Sequence, residues 1–362
     1  MENGAIPALP EINTLQSNDM MWINAAWLKK LKLEVPHTAE ELTEVLRAFR
    51  DGDPNGNYQK DEIPLTFIGM WELRFLGHAF GIVDNDYYVA VKDGMVTSSL
   101  TTDENRAFLA WLHQLWEEGL LDQNGFTNTD SLRQITDEKK AIPYGLILST
   151  TPLTILPQNA LDQFVFLEPL SYDGKQIYRD LTGDLVRGTF AITSACTQPE
   201  KLIAWVNTLY TEAGSRMAYY GLEGEEYLWN EDGQWEWSVS TETVANDILP
   251  THTISEGGAA PGLVDAQFQT QYRDEKTRET VNALYRLKQL SVIPYPPVTL
   301  SAEDEQRVAE IQNDLSRYAE KTMACFIAGD IELTDENWDF FCSTVEEKGL
   351  QEMIAIWQKA VE

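Results

Sequence analysis

Twelve consecutive residues, Asp51-Gly52-Asp53-Pro54-Asn55-Gly56-Asn57-Tyr58-Gln59-Lys60-Asp61-Glu62, place oxygen-bearing side chains at alternate positions around a central glycine. They fit D-x-[DN]-x-[DN]-G-x5-E, the pattern of an EF-hand calcium loop. Ca2+ takes about six to eight oxygen ligands, and alternate positions of a tightly turned loop point their oxygens at one centre. Gly56 permits the turn, and the carboxylates of Asp51, Asp53, Asp61 and Glu62 offset the charge of the ion. Two registers are readable, one opening at Asp51. The other uses Asp53, Asn55, Asn57, the carbonyl of Gln59, Asp61 and Glu62, and it is preferred. It employs the Asn57 side chain and the adjacent Asp-Glu pair, and it leaves Asp51 to end a helix. The expected cofactor is one structural Ca2+ clamping that helix end to the following segment. A solvated acidic turn is the alternative.

The other chemistry is in the aromatic residues: 11 Trp, 14 Tyr and 13 Phe. Sugar-binding clefts stack aromatic faces on pyranose rings and fix the hydroxyls with polar groups. Trp71, Tyr144 and Arg187 are the candidate ligand contacts. Trp71 follows Phe67-Ile68-Gly69, a strand-like run that stops at the turn-permitting Gly69-Met70, and Tyr144 stands between Pro143 and Gly145 at the mouth of an apolar run. Arg187 precedes a strand, where a guanidinium could bond sugar hydroxyls or a uronate carboxylate. Core packing is the plain alternative for the two aromatics, and a surface ion pair for Arg187. No catalytic residues emerge. The chain lacks GxSxG, a P-loop and GxGxxG in a strand–turn–helix setting, and its four histidines form no HExxH pair. With 58 Asp and Glu, a pair of carboxylates can be picked almost anywhere and carries no information.

These candidates need elements to hold them. Residues 22–32 read as a short amphipathic helix that ends before Val35-Pro36. Thr38 is the N-cap of a second helix, with Glu41 completing a capping box. Leu42, Val45, Leu46 and Phe49 form its apolar stripe. A third helix, 103–118, is capped by Thr102 or Asp103 and stops at Gly119. Residues 141–148, 164–167 and 188–193 are short buried-strand-like runs. Residues 201–210 are helical, and 223–262 are loop-rich with aromatic clusters. Residues 275–290, 301–328 and 336–360 read as three closing helices. Strands alternating with helices give an α/β class with a helical C-terminal layer.

Composition narrows the partners. Hydrophobic residues at 43% and charged residues at 23% are globular values, which argues against a disordered chain. The net charge of −31 repels phosphate backbones and anionic lipid, so nucleic-acid binding is not expected. Cys196, Cys325 and Cys342 are too few and too far apart for a disulfide framework. No stretch reaches the roughly 20 apolar residues of a membrane span. Met1-Glu2-Asn3-Gly4 lacks a basic n-region and an apolar h-region. Taken alone, this indicates a cytoplasmic chain, or one whose true beginning lies elsewhere.

Four stretches together carry a resemblance: WLKKLKLEVPHTAEELTEVLRAFRDGDPNGNYQKDEIPL, NRAFLAWLHQLWEEGLLD, RGTFAITSACTQPEKLIAWVNTLYTEAGSRMAYYGLEGEEY and DLSRYAEKTMACFIAGDIELTDENWDFFCSTVEEKGLQEMIAIWQKA. In order, and over nearly the whole chain, they resemble the family 1 extracellular solute-binding proteins. More narrowly, the match is to lipoprotein-type, carbohydrate-associated members with a built-in calcium loop. The resemblance implies a type II periplasmic-binding-protein-like, two-lobed α/β fold with ligand between the lobes. It implies a sugar or oligosaccharide as ligand, the membrane subunits of an ABC importer as partners, a monomer, and an extracellular, membrane-anchored location. The family's calcium pattern falls on Asp53, Asn55, Asn57, Gln59, Asp61 and Glu62.

The chain opens with GAIPALPEIN, which resembles the family's first crossover between lobes, so the N-terminal lobe is expected to be incomplete. The expected organisation is residues 1–14 as crossover and 15–182 as a C-terminal-type lobe with the calcium loop. Residues 183–245 would be a remnant of the other lobe, and 246–362 a return with a helical layer. The leading expectation is a transport receptor that is not an enzyme. A carbohydrate-active enzyme, or a truncated remnant without function, are the alternatives.

Overall fold

Two units divide the chain: Met1–Ser17 with Thr182–Arg286, and Asn18–Leu181 with Leu287–Glu362. The computed structural model describes residues 6–13, 19–180, 185–240, 243–254, 260–296 and 298–361. Residues 246–286 fall in one unit with 185–245.

The first strand, β1 (Leu9–Ile12), lies in the smaller unit. The larger unit opens with β2 (Met20–Asn24), buried along its whole length. Residues 22–32 are therefore not one helix. Trp22 and Ile23 are 1% and 0% exposed as strand residues, and the helix starts only at α1 (Ala25–Leu31). Asn24 decides the switch. Its side-chain oxygen accepts from the Trp27 amide at 3.1 Å, a cap that begins the helix where the strand stops. Next come α2 (Ala39–Asp51), β3 (Ile63–Thr66) and α3 (Gly69–Leu73), the last continued by a 3-10 segment, Arg74–Phe80. The cap of α2 is as expected: Thr38 accepts from the Glu41 amide at 3.2 Å, while the Glu41 carboxylate accepts from the His37 amide at 2.7 Å.

A hairpin of β4 (Val89–Lys92) and β5 (Met95–Ser98) leads to α4 (Asp103–Glu117), capped by Thr102. A single turn, α5 (Asp130–Arg133), precedes β6 (Tyr144–Ser149), β7 (Phe164–Leu167) and β8 (Tyr178–Arg179). The main sheet has the order β3-β6-β2-β7. β3 runs parallel to β6, with Ile63 opposite Tyr144 and Thr66 opposite Ile147, and β2 is antiparallel to both β6 and β7.

In the smaller unit, β9 (Leu185–Phe190) pairs antiparallel with β1. Two helices follow, α6 (Pro199–Val206) and α7 (Glu212–Tyr220). The hairpin β10 (Tyr227–Trp229) and β11 (Trp235–Trp237) wraps an aromatic cluster in which Trp235 stacks on Phe268 at 4.5 Å. β12 (Gly262–Leu263) completes a three-stranded sheet, β12-β1-β9.

After α8 (Glu275–Leu290), β13 (Ser291–Val292) pairs with β8, and the chain returns to the larger unit. There α9 (Ala302–Ala328), α10 (Asp335–Glu347) and α11 (Leu350–Val361) close over α4. Leu112 and Leu115 of α4 share one core with Ile311, Leu315 and Met323 of α9. Residues 336–360 are thus two helices, broken at Gly349, whose φ of +99° an L-side chain rarely adopts.

Candidate functional site

The acidic loop leaves α2 at Asp51, whose carboxylate pairs with Arg50 at 2.8 Å. Beyond it the backbone turns left-handed at Asp53 (φ +44°), Gly56 (φ +76°) and Tyr58 (φ +59°). Side chains brace these turns. Asp53 Oδ1 accepts from the amides of Gly56 and Tyr58, at 3.1 and 3.3 Å. Asn55 Oδ1 accepts from the Asn57 amide at 3.0 Å, and Asn57 Oδ1 from the Gln59 amide at 2.7 Å. The side-chain amides of Asn55 and Asn57 both donate to Asp61. From α1, Lys30 donates to the carbonyls of Asp53 and Pro54, each at 2.9 Å.

Among the described residues no three His, Cys, Asp or Glu side chains stand together in ligand geometry. The loop has a mixed donor set instead. Asp53, Asp61 and Glu62 supply carboxylates, Asn55 and Asn57 amide oxygens, and Gln59 a carbonyl. One atom tests the fit to a cation. Glu62 Oε1 is buried without a hydrogen-bond partner. Burial, then the charges of Asp61 and Asp53, push the Glu62 carboxyl above the usual carboxylate range. An oxygen withheld from water beside two further carboxylates suits a hard divalent ion.

A second group of polar residues lies at the opposite edge of the main sheet. β3 enters from the acidic loop at Ile63 and leaves at Thr66, and α3 follows at once. Trp71 on α3 is 50% exposed, edge-on to Phe75 at 5.7 Å. Phe75 stacks on Tyr178 at 5.7 Å, and the Arg179 guanidinium lies 4.2 Å from the Phe75 ring centre. Tyr178 donates to the backbone carbonyl of Asp19 at 2.7 Å. Glu72 is buried and accepts two bonds from Arg133, at 2.8 and 2.9 Å. Arg133 also donates to the Leu148 carbonyl at 3.1 Å.

Burial dominates the electrostatics here. It pushes Glu72 up to about 7 and Asp19 up to about 6, against the pull of their arginines, and it lowers Arg179 to about 10. Asp19 Oδ2 is buried with no hydrogen-bond partner.

The sequence candidates fare differently. Trp71 sits on this edge half-exposed, on a short helix and not after a turn. Tyr144 does not belong here. It starts β6 at the acidic-loop edge, it is 5% exposed, and its hydroxyl donates to the Arg133 carbonyl at 2.9 Å, so it is a core residue with its polar tip satisfied. Arg187 lies within β9, exposed, in the smaller unit. Asp19, Glu72, Arg133 and Arg179 belong to no motif. The one available signal is Asp19 abutting the apolar run Met20-Met21-Trp22-Ile23.

No protein-family model matches the chain. It is 31% identical over 358 residues to the fructooligosaccharide ABC transporter substrate-binding protein FusA of Streptococcus pneumoniae, an alignment covering 94% of this chain. Along nearly its whole length the chain is similar to the extracellular solute-binding proteins of ABC transporters. It spans 65% of the length of that relative. Among solved structures, an HMO-binding, ABC-transporter-associated solute-binding protein of Bifidobacterium longum infantis superposes with a TM-score of 0.82 at 24% identity, covering 99% of this chain and 77% of its own. FusA with kestose, and a FusA EF-hand mutant with fructo-nystose, give 0.75 and 0.74 at 25% identity, covering 99% of this chain and 76% of theirs. The fold of the chain is thus the type II periplasmic-binding-protein-like fold.

Proposed function

We infer that the chain is part of an extracellular receptor that binds an oligosaccharide without altering it and delivers it, as a monomer, to an ABC importer. The observation that carries this is the 31% identity to FusA along almost the whole chain. The exposed indole of Trp71 beside a buried polar cluster supports it, because sugar sites pair an aromatic face with a few fixed polar groups. Arg187, exposed on β9, stays a candidate donor to sugar hydroxyls. In a two-lobed receptor, ligand binding shifts an equilibrium between open and closed forms.

The acidic loop would hold one structural Ca2+ through Asp53, Asn55, Asn57, the Gln59 carbonyl, Asp61 and Glu62. The bound ion supplies the positive charge that these oxygens lack. The loop enters β3 at the edge away from Trp71, so its part is to stiffen the α2–β3 connection and not to touch ligand. The FusA EF-hand mutant in the comparison supports a loop of this kind in a relative.

Calorimetric titration of the full chain with fructooligosaccharides tests the receptor assignment. Saturable binding is expected, with the sugar recovered intact by chromatography. Shorter sugar products, lost on substitution of one carboxylate, would make the chain an enzyme.

A further inference from the structure

We propose that a cavity beside the acidic loop is a binding site, separate from the Trp71 edge, for a small organic carboxylate. The inference is independent of the receptor assignment and names a second kind of ligand.

Several stretches of the larger unit meet at the acidic-loop edge of the main sheet. β2 ends at Asn24, which lies opposite Phe164 at the start of β7, and α1 follows at once. β3 starts at Ile63, opposite Tyr144 at the start of β6. The acidic loop, residues 138–142 and the 3-10 segment Gln158–Gln163 therefore converge with α1 there. Between them lies a cavity of about 250 Å3. One water needs roughly 10–15 Å3, and pockets for drug-sized ligands start at roughly 300 Å3. The space suits a molecule of about the size of a six-carbon hydroxy acid.

The lining has donors to spare. Lys30 gives two N–H bonds to the carbonyls of Asp53 and Pro54, which leaves one of its three. Among the described residues Lys140 pairs with no acid, and the side-chain amide of Gln163 has no hydrogen-bond partner. Trp27, 2% exposed on the cavity wall, adds an indole N–H with no acceptor among the described residues. A nearly buried N–H left without an acceptor is costly, so an acceptor from outside the fold is favoured.

Charge selects the acceptor. Lys30 and Lys140 line the cavity with one carboxylate, Glu138, so the lining carries one positive charge in excess. That excess is local, in a chain with 58 Asp and Glu against 27 Lys and Arg. Pro54 and Ile142 give the wall a buried apolar part. One excess charge beside apolar surface favours a monocarboxylate on a carbon frame. A doubly charged sulfate would meet Glu138 with no second cation to offset it.

The test is calorimetric titration of the full chain with gluconate, sorbitol and sulfate at constant ionic strength, alongside melting curves. Gluconate should bind once per chain, and sorbitol and sulfate at least tenfold more weakly. Lys140→Met should weaken gluconate binding roughly tenfold, the order of one charged hydrogen bond, and Gln163→Leu about threefold. Neither side chain has a partner in the fold, so both variants should melt at the temperature of the unchanged chain. Trp71→Ala, at the opposite edge of the sheet, should bind gluconate as the unchanged chain does.

Gluconate affinity that survives both Lys140→Met and Gln163→Leu overturns the site. Affinity lost in Trp71→Ala instead overturns it too, because the carboxylate would then sit at the other edge. Sorbitol bound as tightly as gluconate, or sulfate bound more tightly, overturns the carboxylate class. No gluconate binding by the unchanged chain overturns the inference outright. The fructooligosaccharide titration above judges the receptor assignment separately, whichever of these is found.

Discussion

The Tyr178 hydroxyl donates to the Asp19 backbone carbonyl at 2.7 Å, joining points 159 positions apart in sequence. Asp19 begins the larger unit after the chain enters it, and Tyr178 stands just before the chain leaves again. The third passage is fastened to the same place. β13 pairs with β8, and Lys288 reaches Asp180 at 2.5 Å. Asp19, Tyr178 and β13 are thus moored at one small region of the larger unit, beside the buried charges.

Those charges give a pH dependence whose sign is fixed. Asp19 and Glu72 hold protons more tightly when folded, at about 6 and about 7, than their ordinary values of 3.8 and 4.5. The stability this contributes is fully present below about pH 4 and is lost as pH rises through 6 and 7. Asp19→Asn removes the Asp19 share. By urea denaturation it should gain roughly 2–3 kcal/mol over the unchanged chain at pH 8, from a shift of about two pH units, and almost nothing at pH 4. An equal gap at both values would mean that Asp19 is not the titrating group.

Arg133 and Glu72 form a buried pair, 1% and 5% exposed at the side chains. Arg133→Met alone strands a buried carboxylate and should cost about 3–5 kcal/mol. Arg133→Met combined with Glu72→Leu should recover most of that loss, because two apolar side chains then replace two charges. A double variant as unstable as the single one would show that Arg133 acts through its bond to the Leu148 carbonyl instead.

Removing calcium should lower the melting temperature. At a free-ion concentration about 100-fold above Kd, a bound ion adds about 2.7 kcal/mol. Chelator should reverse that gain in the unchanged chain and do nothing to Asp61→Ala. Melting curves that are indifferent to both chelator and Asp61→Ala would remove the calcium assignment.

Gly349 separates α10 from α11 at φ +99°, and a Cβ there would lie 3.3 Å from Ile311. Gly349→Ala should cost about 1–3 kcal/mol through backbone strain, leaving calcium affinity unchanged. A melting temperature equal to that of the unchanged chain would argue that the turn relaxes freely.

What the sequence made legible follows from how local each signal is. The α2 cap, the α4 cap and the acidic loop are decided within a few residues, and Thr38, Thr102 and Gly56 announce them. β2 was misread because Trp22 and Ile23 also fit a helical stripe, and only pairing with residues more than 120 positions away makes them a strand. Tyr144 looked available because its neighbours Pro143 and Gly145 suggest a loop mouth, whereas its hydroxyl is satisfied by the Arg133 carbonyl. Asp19 was invisible for the same reason. The burial of its Oδ2 without a hydrogen bond is a property of the assembled sheet edge.

Tyr58 stands at the tip of the acidic loop, 94% exposed and left-handed in backbone. An aromatic side chain so placed is a natural chymotrypsin cleavage site, and loop tips are where nicking begins. The rate at which the chain is cut after Tyr58 therefore reports how firmly Lys30 and the Asn–Asp61 bonds hold the loop. Protease sensitivity in the presence and absence of divalent ions would follow the state of this one connection without any need for a sugar.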